Sequence, residues 1–507
     1  SNCGYVVSDI RIFNATSMSN KQKAFYLEDK WTVSDNLVLS LGVRADQFEN
    51  FNNSGIKFVD SGLQWQPRLG FAWDVNGDSS FKVFGNAGRY FLNLPNAVAI
   101  RGASASTFTQ QYYTYTGIDA NGVPTGLTAI NKAVGSGPAG PVSSNGEVGG
   151  VKDPLTFVPE DLQSQYQDEF VLGFEHALTS DWTMGAKLTS RDLKQAVDDV
   201  CDPHKLIAAA GLTEVTQFQG SFINSAPDGK LYQSSYCYIF NAKGSNTYAF
   251  GEVTKDAVGP GYTVVPGSYY KAEVSTADLG FGPLKRTYTA LDLFVERKWD
   301  GKWSARVDYT LSKSFGNSEG PANSDTGQGS NAHGNGVATS QNFDAAEINV
   351  FADGYLPNDR RHQLKAYGAY AITDEWLVSA NARIASGAPK SCFGYFDPDG
   401  TIDHGSDAAD PIGYGASYHT CFGESYTPGK ETAPWTHRLD LGLTYSPAWL
   451  DKKLKLNVNV FNVFNERNAT SFDQTSEDGP YSVSNTYDLP LSFTAPRSVQ
   501  FSLSYDY

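Results

Sequence analysis

Trp303-Ser-Ala-Arg-Val-Asp-Tyr-Thr-Leu311 alternates without a break. Trp303, Ala305, Val307, Tyr309 and Leu311 point one way, and Ser304, Arg306, Asp308 and Thr310 the other. Arg438-Leu-Asp-Leu-Gly-Leu-Thr-Tyr445 repeats the pattern with Leu439, Leu441, Leu443 and Tyr445 on the apolar side, and Leu454-Lys-Leu-Asn-Val-Asn-Val460 repeats it again. A strand of a soluble sandwich shows the same period. Its polar side, however, seldom carries Arg and Asp together in strand after strand, whereas a water-filled lumen accepts them.

Working outward from these segments, the same reading places strands near 22–33, 37–48, 63–75, 80–92, 165–179, 182–198, 285–299, 303–314, 362–372, 376–387, 435–446, 453–464 and 497–507. Residues 5–14 are either a fourteenth strand or an extension of the first. Six connections are tight: Ser34-Asp35-Asn36, Asn76-Gly77-Asp78-Ser79, Ser180-Asp181, Asp300-Gly301-Lys302, Thr373-Asp374-Glu375 and Pro447-Ala-Trp-Leu-Asp-Lys452. They hold the Gly, Asn, Asp and Ser that hairpin turns require. Six are long, near 49–62, 93–164, 199–284, 315–361, 388–434 and 465–496. Tight and long connections alternate strictly, which puts every long loop on one side of a sheet, as in a transmembrane antiparallel β-barrel with short periplasmic turns and long extracellular loops. On that reading Val499, Phe501, Leu503, Tyr505 and Tyr507 face lipid, and Gln500, Ser502, Ser504 and Asp506 face the lumen; a terminal strand ending on an aromatic residue resembles the signal read by the barrel-insertion machinery.

Composition agrees. No run of 18 or more apolar residues occurs, so transmembrane helices are excluded. The mean hydropathy is −0.37 because alternation hides a membrane face from an average. Aromatic residues make up 13% of the 507 residues, enough for two interfacial girdles. A formal net charge of −16 argues against nucleic acid as a partner, since phosphates call for basic patches. The opening Ser1-Asn-Cys-Gly-Tyr5 has neither the basic nor the apolar region of a signal peptide, so the chain is expected to be mature or an internal piece of a longer one.

Several stretches, in this order and on strands of the right parity, resemble TonB-dependent outer-membrane receptors, in particular the Oar-like group. They are Phe25-Tyr-Leu-Glu-Asp-Lys-Trp31 with Asp35-Asn-Leu-Val-Leu-Ser-Leu-Gly-Val-Arg44, Trp65-Gln-Pro-Arg-Leu-Gly-Phe-Ala-Trp-Asp74 with Lys82-Val-Phe-Gly-Asn-Ala-Gly-Arg-Tyr90, Tyr309-Thr-Leu-Ser-Lys-Ser314, Leu356-Pro-Asn-Asp-Arg-Arg-His-Gln363 and Phe461-Asn-Val-Phe-Asn-Glu466. The resemblance implies a barrel of about 22 strands, a plug, energisation by the TonB complex, and uptake of a siderophore, glycan or peptide across the outer membrane of a Gram-negative bacterium, amid lipid and lipopolysaccharide. Thirteen or fourteen strands cannot close such a barrel. Residues 1–507 are therefore expected to be the C-terminal portion of it, with the plug and further strands upstream and no TonB box in this chain. The alternative is a passive porin or an adhesion or structural barrel.

Cys201 and Cys237 share one long loop, and Cys392 and Cys421 another. In an oxidising compartment each pair is expected to be a disulfide stapling an exposed loop without a core of its own, worth about 3–4 kcal/mol in the chain-entropy model. Cys3 is left over, its partner expected upstream. Asp397, Asp399 and Asp403 around Gly400 resemble part of a calcium loop, but no Glu follows at the twelfth position, and a solvated acidic loop is the preferred reading; no other cofactor is expected. The seven histidines show no close metal spacing, and no G-x-S-x-G frame organises a nucleophile. Catalysis is therefore not expected. Tyr112, Tyr113, Tyr115, Tyr236 and Tyr238 lie in aromatic clusters of the long loops, either to stack on a ligand or, as the commoner outcome, to pack loop on loop. Arg44, Arg306, Asp308, Arg383, Arg438 and Asp440 are expected on the lumen side, holding a plug or bracing the wall.

Overall fold

The computed structural model describes residues 6–506 except 14–16, 96–106, 131–140, 142, 144–148, 150–152, 219–220, 258–260, 326–339, 397–409, 411 and 481. Its main feature is a meander of thirteen antiparallel strands, hydrogen-bonded in chain order. These are β1 (Ser19–Ser34), β2 (Leu37–Phe51), β3 (Gln64–Asp74), β4 (Phe81–Leu92), β5 (Gln165–Ala177), β6 (Trp182–Gln195), β7 (Arg286–Arg297), β8 (Trp303–Gly316), β9 (His362–Ala371), β10 (Trp376–Ala385), β11 (Thr436–Tyr445), β12 (Leu454–Phe461) and β13 (Ser498–Tyr505). The short strands Lys57–Asp60 and Gly354–Tyr355 pair with β2 and β8 from the loops.

Because each strand pairs with its neighbour in sequence, all six tight turns lie along one border of the sheet and the long loops along the other. The turns are built by short polar side chains. The Asp300 carboxylate accepts the backbone N–H groups of Lys302 (2.8 Å) and Trp303 (2.9 Å), with Gly301 at φ 97° between them. Asp74 does the same for Gly77 (3.2 Å) and Ser79 (2.7 Å).

Register gives the sheet two unlike faces. Opposed residues share a face, and Phe501 stands opposite Val458, Leu441 opposite Val460 and Ala380, and Leu293 opposite Tyr309 and Ala186. This face ends, next to the tight turns, in a band of aromatic rings. Trp182 meets Trp303 edge-on at 5.9 Å, and Trp376 stacks on Tyr445 at 4.4 Å, as an interfacial girdle requires. Val499, Phe501, Leu503 and Tyr505 lie on it; Tyr507 falls outside the described residues. Gln500 and Ser502 oppose Asn459 and Asn457 on the other, polar face. Among the described residues β1 and β13 each pair with one wall neighbour only, so the wall is an open sheet with two free edges.

Three expectations are corrected. Val6–Phe13 is neither a fourteenth wall strand nor an extension of β1. It pairs residue for residue with Thr107–Thr114 in a separate three-stranded sheet. The strand read over 182–198 leaves the wall at Gln195, and Val197–Val200 pairs instead with Tyr238–Asn241. The long loops, read as lacking a core, carry the main apolar core of the molecule. Leu206, Phe240, Phe250 and Leu279 of loop 199–284 pack with Leu193 and with Phe343 of loop 315–361 in one buried cluster. An amphipathic wall has lipid on one side and water on the other and needs no interior, so the burial that drives folding from water concentrates above it.

Candidate functional site

The polar face of the wall is the first part of the site. Ser40, Gly42, Arg44, Arg68, Asn86, Glu175, Lys187, Asp292, Arg306, Asp308, Lys365, Arg383, Arg438 and Asp440 all fall on it by register, so the six residues read as lumen-facing share one surface. Most of its charges are paired. Arg44 meets Asp46 at 2.8 Å, Lys82 meets Glu175 at 2.6 Å, Lys187 meets Asp292 at 3.2 Å, and Arg191 meets Glu169 at 2.5 Å. Arg306 is held by Asp308 (2.8 Å) and Glu296 (2.9 Å), and Arg438 by Asp440 (2.8 Å). Lys82, Glu175, Lys187, Asp292, Arg191 and Glu169 were not singled out in the sequence; continuing the same parity from Arg306 across neighbouring strands would have found them.

Small residues and aromatic rings shape this face. The rings of Phe84 and Phe294 crowd Gly173 and Gly185, where a Cβ atom would come within 2.7 Å and 2.5 Å of them. Beside these rings is a concavity of about 480 Å³, bounded by Glu175, Lys187, Asp292, Arg306, Asp308 and Lys365 among others. It offers paired charge and aromatic surface, and within it the Thr310 hydroxyl donates to Asp292 at 2.6 Å.

The second part is the cap formed by the long loops. Disulfides join Cys201 to Cys237 and Cys392 to Cys421, as expected. Asp199 lies within ligand distance of Cys201 and Cys237, but both sulfurs are in the disulfide and provide no thiolate for a metal. Buried and half-buried hydrogen bonds tie loop to loop. Asp198 accepts the Ser340 N–H and hydroxyl, both at 2.6 Å, the Tyr414 hydroxyl donates to Asp344 at 2.6 Å, and Glu477 accepts the Tyr395 N–H at 2.9 Å. Burial and the adjoining Asp199 push the Asp198 carboxyl well up. Burial also pushes Asp325 up to about 7 and His419 down to about 4.

The loop tyrosines separate. Tyr238 is only 1% exposed, packed among Tyr248, Phe250 and Phe157 with ring centroids at 5.1, 6.1 and 6.2 Å, and its hydroxyl accepts the Ser235 N–H. Its ring serves the core and is withdrawn as a ligand contact. Tyr236 packs, partly buried, against the same core. Tyr112 and Tyr113 sit half-buried on the strand Thr107–Thr114, with Tyr115 just beyond it. Asp397, Asp399, Asp403 and Cys3 lie outside the described residues.

The profile of a family described as an outer membrane beta barrel domain matches residues 3–500. The TonB-dependent transporter Oar of Myxococcus xanthus is 24% identical over 549 residues, covering 95% of this chain and 42% of that protein. The chain thus spans less than half the length of that curated relative. Among solved structures, the outer membrane transporter YddB from Escherichia coli aligns over 97% of this chain and 54% of its own, at 10% identity and a TM-score of 0.49. The ferripyoverdine receptor of Pseudomonas aeruginosa, bound to ferripyoverdine, aligns over 97% and 39%, at 12% identity and a TM-score of 0.46.

Proposed function

The chain belongs to the outer membrane beta barrel domain family, and from that premise we propose that it forms the greater part of the wall and cap of a TonB-energised uptake receptor. An open wall cannot stay in a bilayer, because the edge N–H and C=O groups of β1 and β13 would lie in hydrocarbon without partners. Strands of an upstream segment close it, to about 22 in all, around a plug. Ligand binds in the cap, passes along the charged inner face when the TonB complex pulls on the plug, and is a scarce solute of the siderophore, glycan or peptide class. The receptor is a transporter, not an enzyme, and its other surroundings are outer-membrane lipid and lipopolysaccharide.

The observation that carries this reading is a thirteen-stranded antiparallel wall whose one face is mostly apolar and whose other face carries repeated ion pairs. The likeness to the Oar transporter supports TonB-coupled uptake as the first reading and a passive porin as the second. The test is uptake of a panel of labelled ferric siderophores, oligosaccharides and peptides by cells carrying the complete protein, with and without TonB. Uptake lost without TonB supports the proposal. Uptake of small solutes that persists without TonB establishes the porin instead.

A further inference from the structure

At one place on the inner face like charges stand across from one another on three successive strands. Lys365 on β9 stands directly opposite Arg383 on β10, and Arg383 directly opposite Arg438 on β11. Like charges across from one another destabilise a sheet. With adjacent strands about 4.8 Å apart, the three cations sit on a span comparable to the screening length of about 8 Å at physiological salt. Asp308, the carboxylate opposite Lys365, is already held by Arg306, and Asp440 is held by Arg438. Among the described residues Lys365 and Arg383 make no ion pair, and both are exposed to the lumen. Arg360, at the head of β9, adds a fourth cation. It donates to the backbone carbonyls of Pro357 (3.1 Å) and Asp359 (2.7 Å), and burial presses its pKa down, opposed by the adjoining Asp359 carboxylate and assisted by the nearby Arg383.

Lys365, Arg383 and Arg438 therefore stand side by side, with Asp440 taken by Arg438 and Asp308 by Arg306. Lys365 also borders the concavity of about 480 Å³ that holds Arg306 and Lys187. Local electrostatic cost kept at an open, solvent-facing position marks a place where a counter-charge arrives from outside the sheet.

We propose that Lys365 and Arg383, flanked by Arg360 and Arg438, form a lumenal binding step for a small solute bearing at least two anionic oxygen groups, carboxylate or phosphate. This rests on the reading of the inner face as a ligand path and narrows it to anionic cargo. An ammonium and a guanidinium side by side suit such a group, because charge-assisted bonds to oxyanions are the strong ones and a guanidinium can grip two oxygens at once.

The test uses the complete receptor purified in detergent, with inorganic pyrophosphate and phosphate as probes. Lys365 should be protected from amine acylation by pyrophosphate more than by phosphate, as read by peptide mass spectrometry. Lys187, already paired with Asp292, should not be protected. Pyrophosphate affinity should fall by about tenfold or more in a Lys365→Gln/Arg383→Gln double variant and be largely retained in Lys365→Arg/Arg383→Lys. Heat-modifiable migration on gels verifies that each variant is assembled. Unchanged affinity in the double Gln variant overturns the proposal. So does a carbodiimide cross-link joining Lys365 to a carboxylate of the upstream chain, which would mean that protein fills the row. Neither result depends on TonB, so the anion step and the transport reading fail separately.

Discussion

Phe240 in the cap has 0% of its surface exposed and Phe501 in the wall 75%, although both sit on β-strands. Phe240 is enclosed by Phe281 and Phe343 at 5.6 and 5.7 Å, rings supplied by segments far apart in sequence. Phe501 has Val458 across from it and otherwise faces outward. The cap is thus a water-soluble fold, held by burial and cross-linked by disulfides. The wall is a two-solvent fold, held by ladder hydrogen bonds, with its outer side chains left for lipid. Substitutions of equal size should therefore act by different physics in the two regions.

The largest contrast is expected from truncation. Phe240→Ala leaves a cavity in the cap and should cost about 3–5 kcal/mol, read as a lowered midpoint for loss of near-ultraviolet dichroism in urea, while the wall keeps its heat-modifiable migration. Phe501→Ala should leave the cap transition unmoved. A shared transition for wall and cap would break the comparison. Next, Cys201→Ser/Cys237→Ser opens a cross-link spanning 36 residues and should cost the cap about 3–4 kcal/mol, visible as faster proteolysis of loop 199–284. The wall is sharpened by charge. Leu441→Arg places a cation toward lipid at a cost of up to about 2–4 kcal/mol near the bilayer midplane, whereas Asn381→Arg on the inner face, opposite Asp440, should be tolerated. Outer-membrane yield of the two variants measures the difference.

The smallest effect is a pH slope confined to the cap. Asp325, raised by burial to about 7, keeps a proton that an unfolded chain releases near pH 3.9. Its contribution is full below about 4 and is lost as the pH rises to about 7. His419, lowered by burial to about 4, acts in the opposite sense, losing stability as the pH falls from about 6.5 to about 4. Asp325→Asn should remove the aspartate's share, so that the loss of cap stability between about pH 4 and about pH 7 becomes shallower than in the parent in urea titrations at stepped pH.

The wall was legible because period-2 alternation and turn chemistry are local. Trp303–Leu311 alone states which side each residue takes, and Asp300-Gly301 states where the chain reverses. The exit at Gln195 was not legible, because Val197-Asp-Asp-Val200 keeps strand-forming residues while both of its sides become buried against the cap. The cap itself was hidden for a related reason. Its core is assembled from Leu193, Phe240, Phe250 and Phe343, which share no period, so a ring such as Tyr238 looked like a loop aromatic free to meet a ligand. Val6–Phe13 carries strand signals, but its partner Thr107–Thr114 lies about a hundred residues away, and no local rule names such a partner. The cation row at Lys365, Arg383 and Arg438 follows from parity only once register sets the three strands side by side.

The central claim is that one face of the wall meets lipid and the other water. It is tested most directly by spin labels placed one at a time on Leu439 through Tyr445 of the complete receptor in lipid bilayers, with relaxation measured against oxygen and against a water-soluble nickel chelate. The account predicts a period of two: oxygen contact highest at 439, 441, 443 and 445, and nickel contact highest at 440, 442 and 444. A flat profile, or the same period in the opposite phase, would contradict it.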